Sequence, residues 1–235
     1  MIRIGIALLA SAALLAAAGV MMDRLTRANG SEPSRSQLIQ HWSAIVEDPL
    51  QESSIRQEAM LRIRNQGIAA AEVLPVLIRS FRVTELRDDA VLAIAAQGEQ
   101  AVDTLRQTLY SSDYDIRMGA ARSLGKIGPI AKDAIDDLEI LLADPKYVVR
   151  RDALRAILAI APERMPGYVP HLVELMQHET IFYRRWEAVM LLGETGEAGR
   201  KALPVLRELA HRWADHPSGF DRLIQSVLKK YPPLG

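Results

Sequence analysis

DIRMGAARSLGKIG, from Asp115 to Gly128, is the stretch whose reading decides the fold. Ile116, Ala120, Ala121 and Leu124 fall on one stripe of a 3.6-residue helix. Gly128 stands where such a helix must stop with a residue that tolerates a left-handed backbone. The same pattern recurs in SIRQEAMLRIRNQG from Ser54, ELRDDAVLAIAAQG from Glu85, VVRRDALRAILAIA from Val148 and RRWEAVMLLGETG from Arg184. In register with Arg117 are Arg56, Arg87, Arg150 and Arg185. Three residues on, all five segments carry alanine: Ala59, Ala90, Ala120, Ala153 and Ala188. Seven on come Ile63, Ile94, Leu124, Ile157 and Leu192; eleven on come Gly67, Gly98, Gly128, Ala161 and Gly196. The intervals are 31, 30, 33 and 35 residues, and recurrence at chemically different positions marks an internal repeat.

A second helix is expected after each turn, in AEVLPVLIRSF, QAVDTLRQTLY, KDAIDDLEILLAD, GYVPHLVELMQ and KALPVLRELAHRW. These align on Leu74, Val102, Ile135, Val169 and Leu203, followed three residues later by Leu77, Leu105, Leu138, Leu172 and Leu206. Between them Pro75, Pro170 and Pro204 alternate with Asp103 and Asp136, residues that suit a first helical turn. Ser34–Glu47 reads as a lone second helix capping the N-terminal end, and Asp221–Lys230 as a lone helix capping the C-terminal end.

With its Arg-x-x-Ala, its turn glycine, its apolar-Pro-x-Leu and the Asp-Pro at Asp144–Pro145, the chain resembles HEAT repeats of the bacterial lyase-like kind. The resemblance implies an all-α fold, a right-handed α-solenoid of about five helix pairs with terminal caps, over residues 34–232. It departs from the pattern at Arg184, at Ala161 and in a short second turn. It implies protein binding on a concave face lined by second helices. The enzymatic alternative is a lyase acting on a tetrapyrrole, or a nucleic-acid enzyme such as a glycosylase.

Ahead of the repeats, Ile4 to Met22 is an uncharged run of 19 residues, which as a helix would span about 28 Å, close to the hydrocarbon thickness of a bilayer. Two readings stay open for residues 1–30. A transmembrane anchor would use the whole run, 4–22; a signal peptide would be cleaved after Ala16-Ala17-Ala18. Gly19 to Met22 prolongs the apolar stretch past that site and favours the anchor. The short leader favours a soluble domain on the periplasmic side of a bacterial inner membrane, although Arg24 and Arg27 oppose this; export as a soluble protein is the alternative. Arg27 to Ser36 reads as a polar tether.

The 29 basic and 29 acidic residues cancel, so no global basic footprint for nucleic acid exists, and zero cysteines exclude disulfides, thiolate metal sites and a cysteine nucleophile. No phosphate loop, nucleophile elbow or dinucleotide fingerprint occurs. His171, Glu174 and His178 have metal-like spacing on one helix, but solvated side chains are the simpler account. No catalytic, cofactor or metal-binding residue is expected. The arginine column is expected to pair with carboxylates or helix ends of adjacent repeats, with Asp113, Asp115, Asp144 and Asp152 at hand. Residues 31–145 carry 12 basic and 18 acidic side chains, whereas 146–235 carry 14 and 10 and hold 8 of the 12 aromatics. These aromatics make either a bulkier core or a contact surface. The candidate partner-binding residues are Arg79, Arg106, Glu139, Glu174 and Arg207 on the second helices, with Tyr183 and Trp186. The expected function is a non-catalytic protein-interaction scaffold, tethered to a membrane or exported, such as an accessory subunit of a larger membrane complex.

Overall fold

The computed structural model describes residues 34–65, 70–178, 182–214 and 219–231; the run 4–22 and most of the tether lie outside them. The described residues form twelve α-helices: α1 (Arg35–Glu47), α2 (Ser53–Asn65), α3 (Ala70–Arg79), α4 (Thr84–Ala95), α5 (Val102–Thr108), α6 (Tyr114–Ile127), α7 (Ile135–Ile140), α8 (Tyr147–Ile160), α9 (Met165–His178), α10 (Phe182–Leu192), α11 (Leu203–Arg212) and α12 (Phe220–Leu228). Among the described residues there is no β-strand, and no helix is long and apolar enough to cross a membrane. The chain divides into two compact units, Met1–Ile130 and Ala131–Gly235.

Within each unit every second helix packs on the first helix that follows it, and in the first unit the first helices α2, α4 and α6 also pack on one another in turn. In the first unit the pairs are α1/α2, α3/α4 and α5/α6; in the second they are α7/α8, α9/α10 and α11/α12. The sequence reading paired helices across the glycine turns and left α1 and α12 as single caps. The observed pairing is offset by one helix, so both terminal helices are full members of pairs. α1 starts at Ser34, whose hydroxyl accepts from the Gln37 amide while the Gln37 side chain accepts from the Ser34 amide, a capping box.

The recurring apolar columns are the core. Ala59, Ala90 and Ala120 in the first unit, and Ala153 and Ala188 in the second, are fully buried, as are Ile63, Ile94, Leu124, Ile157 and Leu192. The small alanine admits a facing helix that a larger side chain would hold away. Gly98, Gly128 and Gly196 leave their helices at φ of 59°, 75° and 57°, the left-handed region that excludes most side chains. Ala161 does not imitate them: the chain leaves α8 with a negative φ, at φ −143° and ψ 72°.

Two second helices are shorter than the sequence suggests. α5 and α7 are flanked by 3₁₀ turns at Gly98–Ala101, at Gly128–Ala134 and at Leu141–Ala143. The proline column also needs correction. Pro204 sits in the first turn of α11, but Pro75 and Pro170 stand six residues into α3 and α9. In α3 and α9 the turn before the aligned apolar residue is wound as α-helix, whereas three other second helices wind it as 3₁₀. The proline keeps its register while the helix starts earlier.

In the first unit, the His41 ring lies edge-on to Trp42 at 4.9 Å between centroids, and the Arg62 guanidinium lies over the Trp42 ring at 5.1 Å. His41 Nε2 is buried with no hydrogen-bond partner, and burial holds its pKa below the ordinary histidine value of 6.5. The folded chain therefore keeps His41 neutral where the unfolded chain starts to protonate it. As pH falls through 6.5, the unfolded state binds the extra proton and stability declines until the lower folded pKa is passed. Between pH 7.5 and 5.5 the wild type should lose more melting temperature than His41→Gln; equal losses would show that this histidine titrates as in the unfolded chain.

Candidate interaction surface

The arginine column is a set of internal staples. Arg56 Nε donates to the Val46 carbonyl at the end of α1 at 2.8 Å. Arg87 donates to the Phe81 carbonyl at 2.7 Å and to the Asp115 carboxylate at 2.5 Å. Arg117 donates to the carbonyls of Ser111 and Ser112 at 2.8 and 3.0 Å. In the second unit Arg150 donates to the Asp144 carbonyl and makes a two-pronged pair with the carboxylate of Glu187. The Arg185 guanidinium lies over the Trp213 ring at 5.7 Å. Arg56, Arg87, Arg117 and Arg150 satisfy carbonyls of the helix or connection just before their own helix, and Arg87 and Arg150 also reach a carboxylate on the first helix of the next pair. Of the acids named from sequence, Asp115 and Asp144 serve the column, Asp113 pairs with Arg82, and Asp152 pairs with Arg151 and Arg155. The bond from Arg82 is also what chiefly holds the Asp113 carboxyl below its ordinary range.

Each second helix carries one stripe that is open to solvent. Relative to the aligned leucine it occupies the residues five and two before, and two and five after, spacing that keeps them on one face. In the first unit these are Glu72, Pro75, Arg79 and Arg82, then Gln100, Asp103, Gln107 and Tyr110, all exposed. In the second they are Asp133, Asp136, Ile140 and Ala143, then Gly167, Pro170, Glu174 and Gln177, then Lys201, Pro204, Glu208 and His211, again all exposed.

The candidate residues divide between this stripe and its flank. Arg79 and Glu174 lie on it, and Arg79 pairs with Glu47 of α1. Arg106 and Glu139 belong to the next residue around the helix and are half-buried. Arg106 lies 3.7 Å from Asp103, and Glu139 accepts from Arg164 at 2.8 Å and from the Tyr168 hydroxyl. Burial, then the neighbouring Glu139 carboxylate, push the Tyr168 phenol up to about 12, so that hydroxyl stays a donor at any physiological pH. Arg207 has the register of Arg106 and Glu139 yet is exposed. Trp186 is half-buried among aromatics: Phe182, Trp213 and Phe220 meet with centroids 5.3 to 5.4 Å apart, and Trp186 lies 5.7 Å from Phe220. Phe220 is fully buried, so most of this cluster is core, with Phe182 at its wet edge. Tyr183 is in α10, but its side chain lies outside the description, as do those of His171 and His178. Among the described residues no group of three metal-ligating side chains converges. Ile140, Gln107, Glu208 and Tyr110 were absent from the sequence-based candidates, although the repeat register alone suffices to place them on the stripe.

Packed helix pairs with recurring core columns define the chain as a helical-repeat protein. Residues 72–158 match the family model described as HEAT repeats. No curated protein matches the chain. Among solved structures it is similar to an engineered protein at 20% identity, over 82% of this chain and 95% of that one, with a TM-score of 0.42. A designed armadillo repeat protein in complex with the peptide (KR)4 gives 17% identity over 83% of this chain and all of the other, TM-score 0.42. Computationally designed armadillo repeat proteins for modular peptide recognition give 18% over 85% of this chain, TM-score 0.42.

Proposed function

We propose that the chain is a non-catalytic, α-solenoid scaffold that binds protein through its second-helix stripe and its flanks. The observation that carries this reading is the division of labour within the repeat. Positions that recur in type are spent on the core and on staples, while the exposed stripe varies from unit to unit in charge and size. A surface that changes from one repeat to the next suits recognition of a partner with its own sequence. We further propose that residues 4–22 hold the protein at a bacterial inner membrane with residues 34–232 on the periplasmic side, the setting of an accessory subunit of a membrane complex; the uncharged run supports this.

Purification of the full chain from its native membrane in mild detergent should retain a partner protein. Reversing charge at the exposed Glu174 and Arg207 should weaken that association without moving the melting temperature, since such surface changes cost within about 0.5 kcal/mol. A substrate turned over by the purified chain, with loss on a single acid or histidine substitution, would overturn the reading. Intact mass tests location: a chain starting near Gly19 would establish cleavage and remove the anchor.

A further inference from the structure

First helices are joined differently in the two units. In the first unit α4 packs along α2 and along α6. In the second, α8 and α10 meet at only a few points, and charged side chains bridge them. Arg150 of α8 makes its two-pronged pair with Glu187 of α10. Five residues along α8, Arg155 makes another with Glu194, just past the end of α10, at 3.2 and 3.0 Å. The buried Asp152 stays within α8, with Arg151 at 2.9 Å and Arg155 at 3.9 Å, and Lys230 adds a 4.0 Å approach to Glu194. On the second-helix side the link is polar too. Arg164 and Tyr168, at the start of α9, reach Glu139 of α7, and Arg164 lies 3.7 Å from Asp136. The apolar share of this junction is thin. Of the buried apolar residues of α7 and α8, Leu154 alone joins the core built by α9 to α12, with Leu142 and Leu158 half-buried against it.

The geometry points to a hinge seam inside the second unit: α7 and α8 rock as one body against α9 to α12, opening and closing the junction between α8 and α10. An apolar seam resists opening by the area it would return to water. A seam of ion pairs resists less, because both charges of a pair regain hydration as they part. Half-exposed pairs such as Arg155–Glu194 and Arg164–Glu139 hold little even when closed. Opening changes the spacing between the exposed stripes of α7 and α9, so a partner lying across both selects one width of the seam. The use of the motion rests on the reading of the chain as an interaction module; the motion itself does not.

The chain has no cysteine, so a pair of introduced cysteines carries nitroxide labels without competition. In the full chain in mild detergent, Ile140→Cys with Glu174→Cys spans α7 to α9 at exposed stripe positions, and Glu72→Cys with Gln107→Cys spans α3 to α5 as the control. Spin–spin distance measurements should give a broad distribution with a longer component across α7 and α9, and a single narrow one across α3 and α5. Raising NaCl from about 0.05 M to about 1 M, where electrostatic reach shrinks to roughly 3 Å, should enlarge the longer component and leave the control unmoved. Arg150→Met with Glu187→Leu, which makes the seam apolar, should remove the longer component. Arg155→Leu with Glu194→Leu, at less buried positions, should reduce it and serves if the first variant does not fold. A single narrow, salt-indifferent distance across α7 and α9, equal breadth at both label pairs, or breadth that survives the apolar replacements would overturn the proposal. The labels read the chain alone, so a missing partner protein sinks the interaction reading and leaves the hinge standing, while a closed seam does the reverse.

Discussion

Replacing Glu187 with alanine should destabilise the protein by about 3–5 kcal/mol, the usual cost of removing one partner from a buried ion pair. Glu187 is 6% exposed on α10, and both its carboxylate oxygens accept from Arg150 on α8. Arg150 is itself largely enclosed, with its third nitrogen on the Asp144 carbonyl at 2.5 Å. Alanine in place of Glu187 removes the carboxylate that accepts from two of the three guanidinium nitrogens of a side chain that is only 16% exposed. At about 2–4 °C per kcal/mol for a chain of this size, the melting temperature should drop by roughly 10 °C. The double variant Arg150→Met with Glu187→Leu should recover most of that loss, because an apolar pair of similar bulk removes both desolvated charges together. A fall of only a degree or two in Glu187→Ala would mean that water reaches the pair, and that Arg150 is held chiefly by the Asp144 carbonyl.

The staple also shows where sequence reading stops. That the arginine column would pair inside the fold was legible, because stacked repeats bring equivalent positions together. The particular acid was not. Arg87 finds Asp115, 28 residues on, and Arg150 finds Glu187, 37 residues on, one before and one after the anchoring arginine of the following first helix. Which of them comes within reach depends on how the two helices slide past one another, which periodicity does not record. The core columns were legible because burial imposes the 3.6-residue period directly on side-chain type, and every aligned alanine proved to be buried. Helix neighbours were only partly legible, because the turn glycines advertise chain reversals and not packing; second helices pack on the first helix after them, and first helices of the first unit pack on one another. The candidate surface suffered from a one-residue slip. A single step rotates a side chain about 100° around the axis, which moves Arg106 and Glu139 from the open stripe to its half-covered flank.

Gly119→Ala tests the packing at its tightest point and sets two ordinary effects against each other. Gly119 is inside α6, where alanine is favoured over glycine by about 1 kcal/mol on helix propensity alone. That term predicts a more stable protein. A Cβ at Gly119, however, would lie 2.2 to 2.5 Å from three atoms of the Phe81 ring, well inside contact distance. Phe81 is fully buried and cannot swing out, so the helix or the ring must move, and overpacking of a close-packed core costs about 1–3 kcal/mol. With an overlap this deep the upper end applies, and the net expectation is a loss of about 2 kcal/mol in chemical denaturation. Removing the obstacle reverses the sign: in a Phe81→Leu background, Gly119→Ala should be neutral or stabilising. The coupling between the two sites is the decisive quantity, since it cancels the propensity common to both backgrounds. If Gly119→Ala stabilises the wild type as it would an exposed helix, then α6 and the Phe81 ring stand further apart than described, and the small residues on the first helices are not what brings their neighbours close.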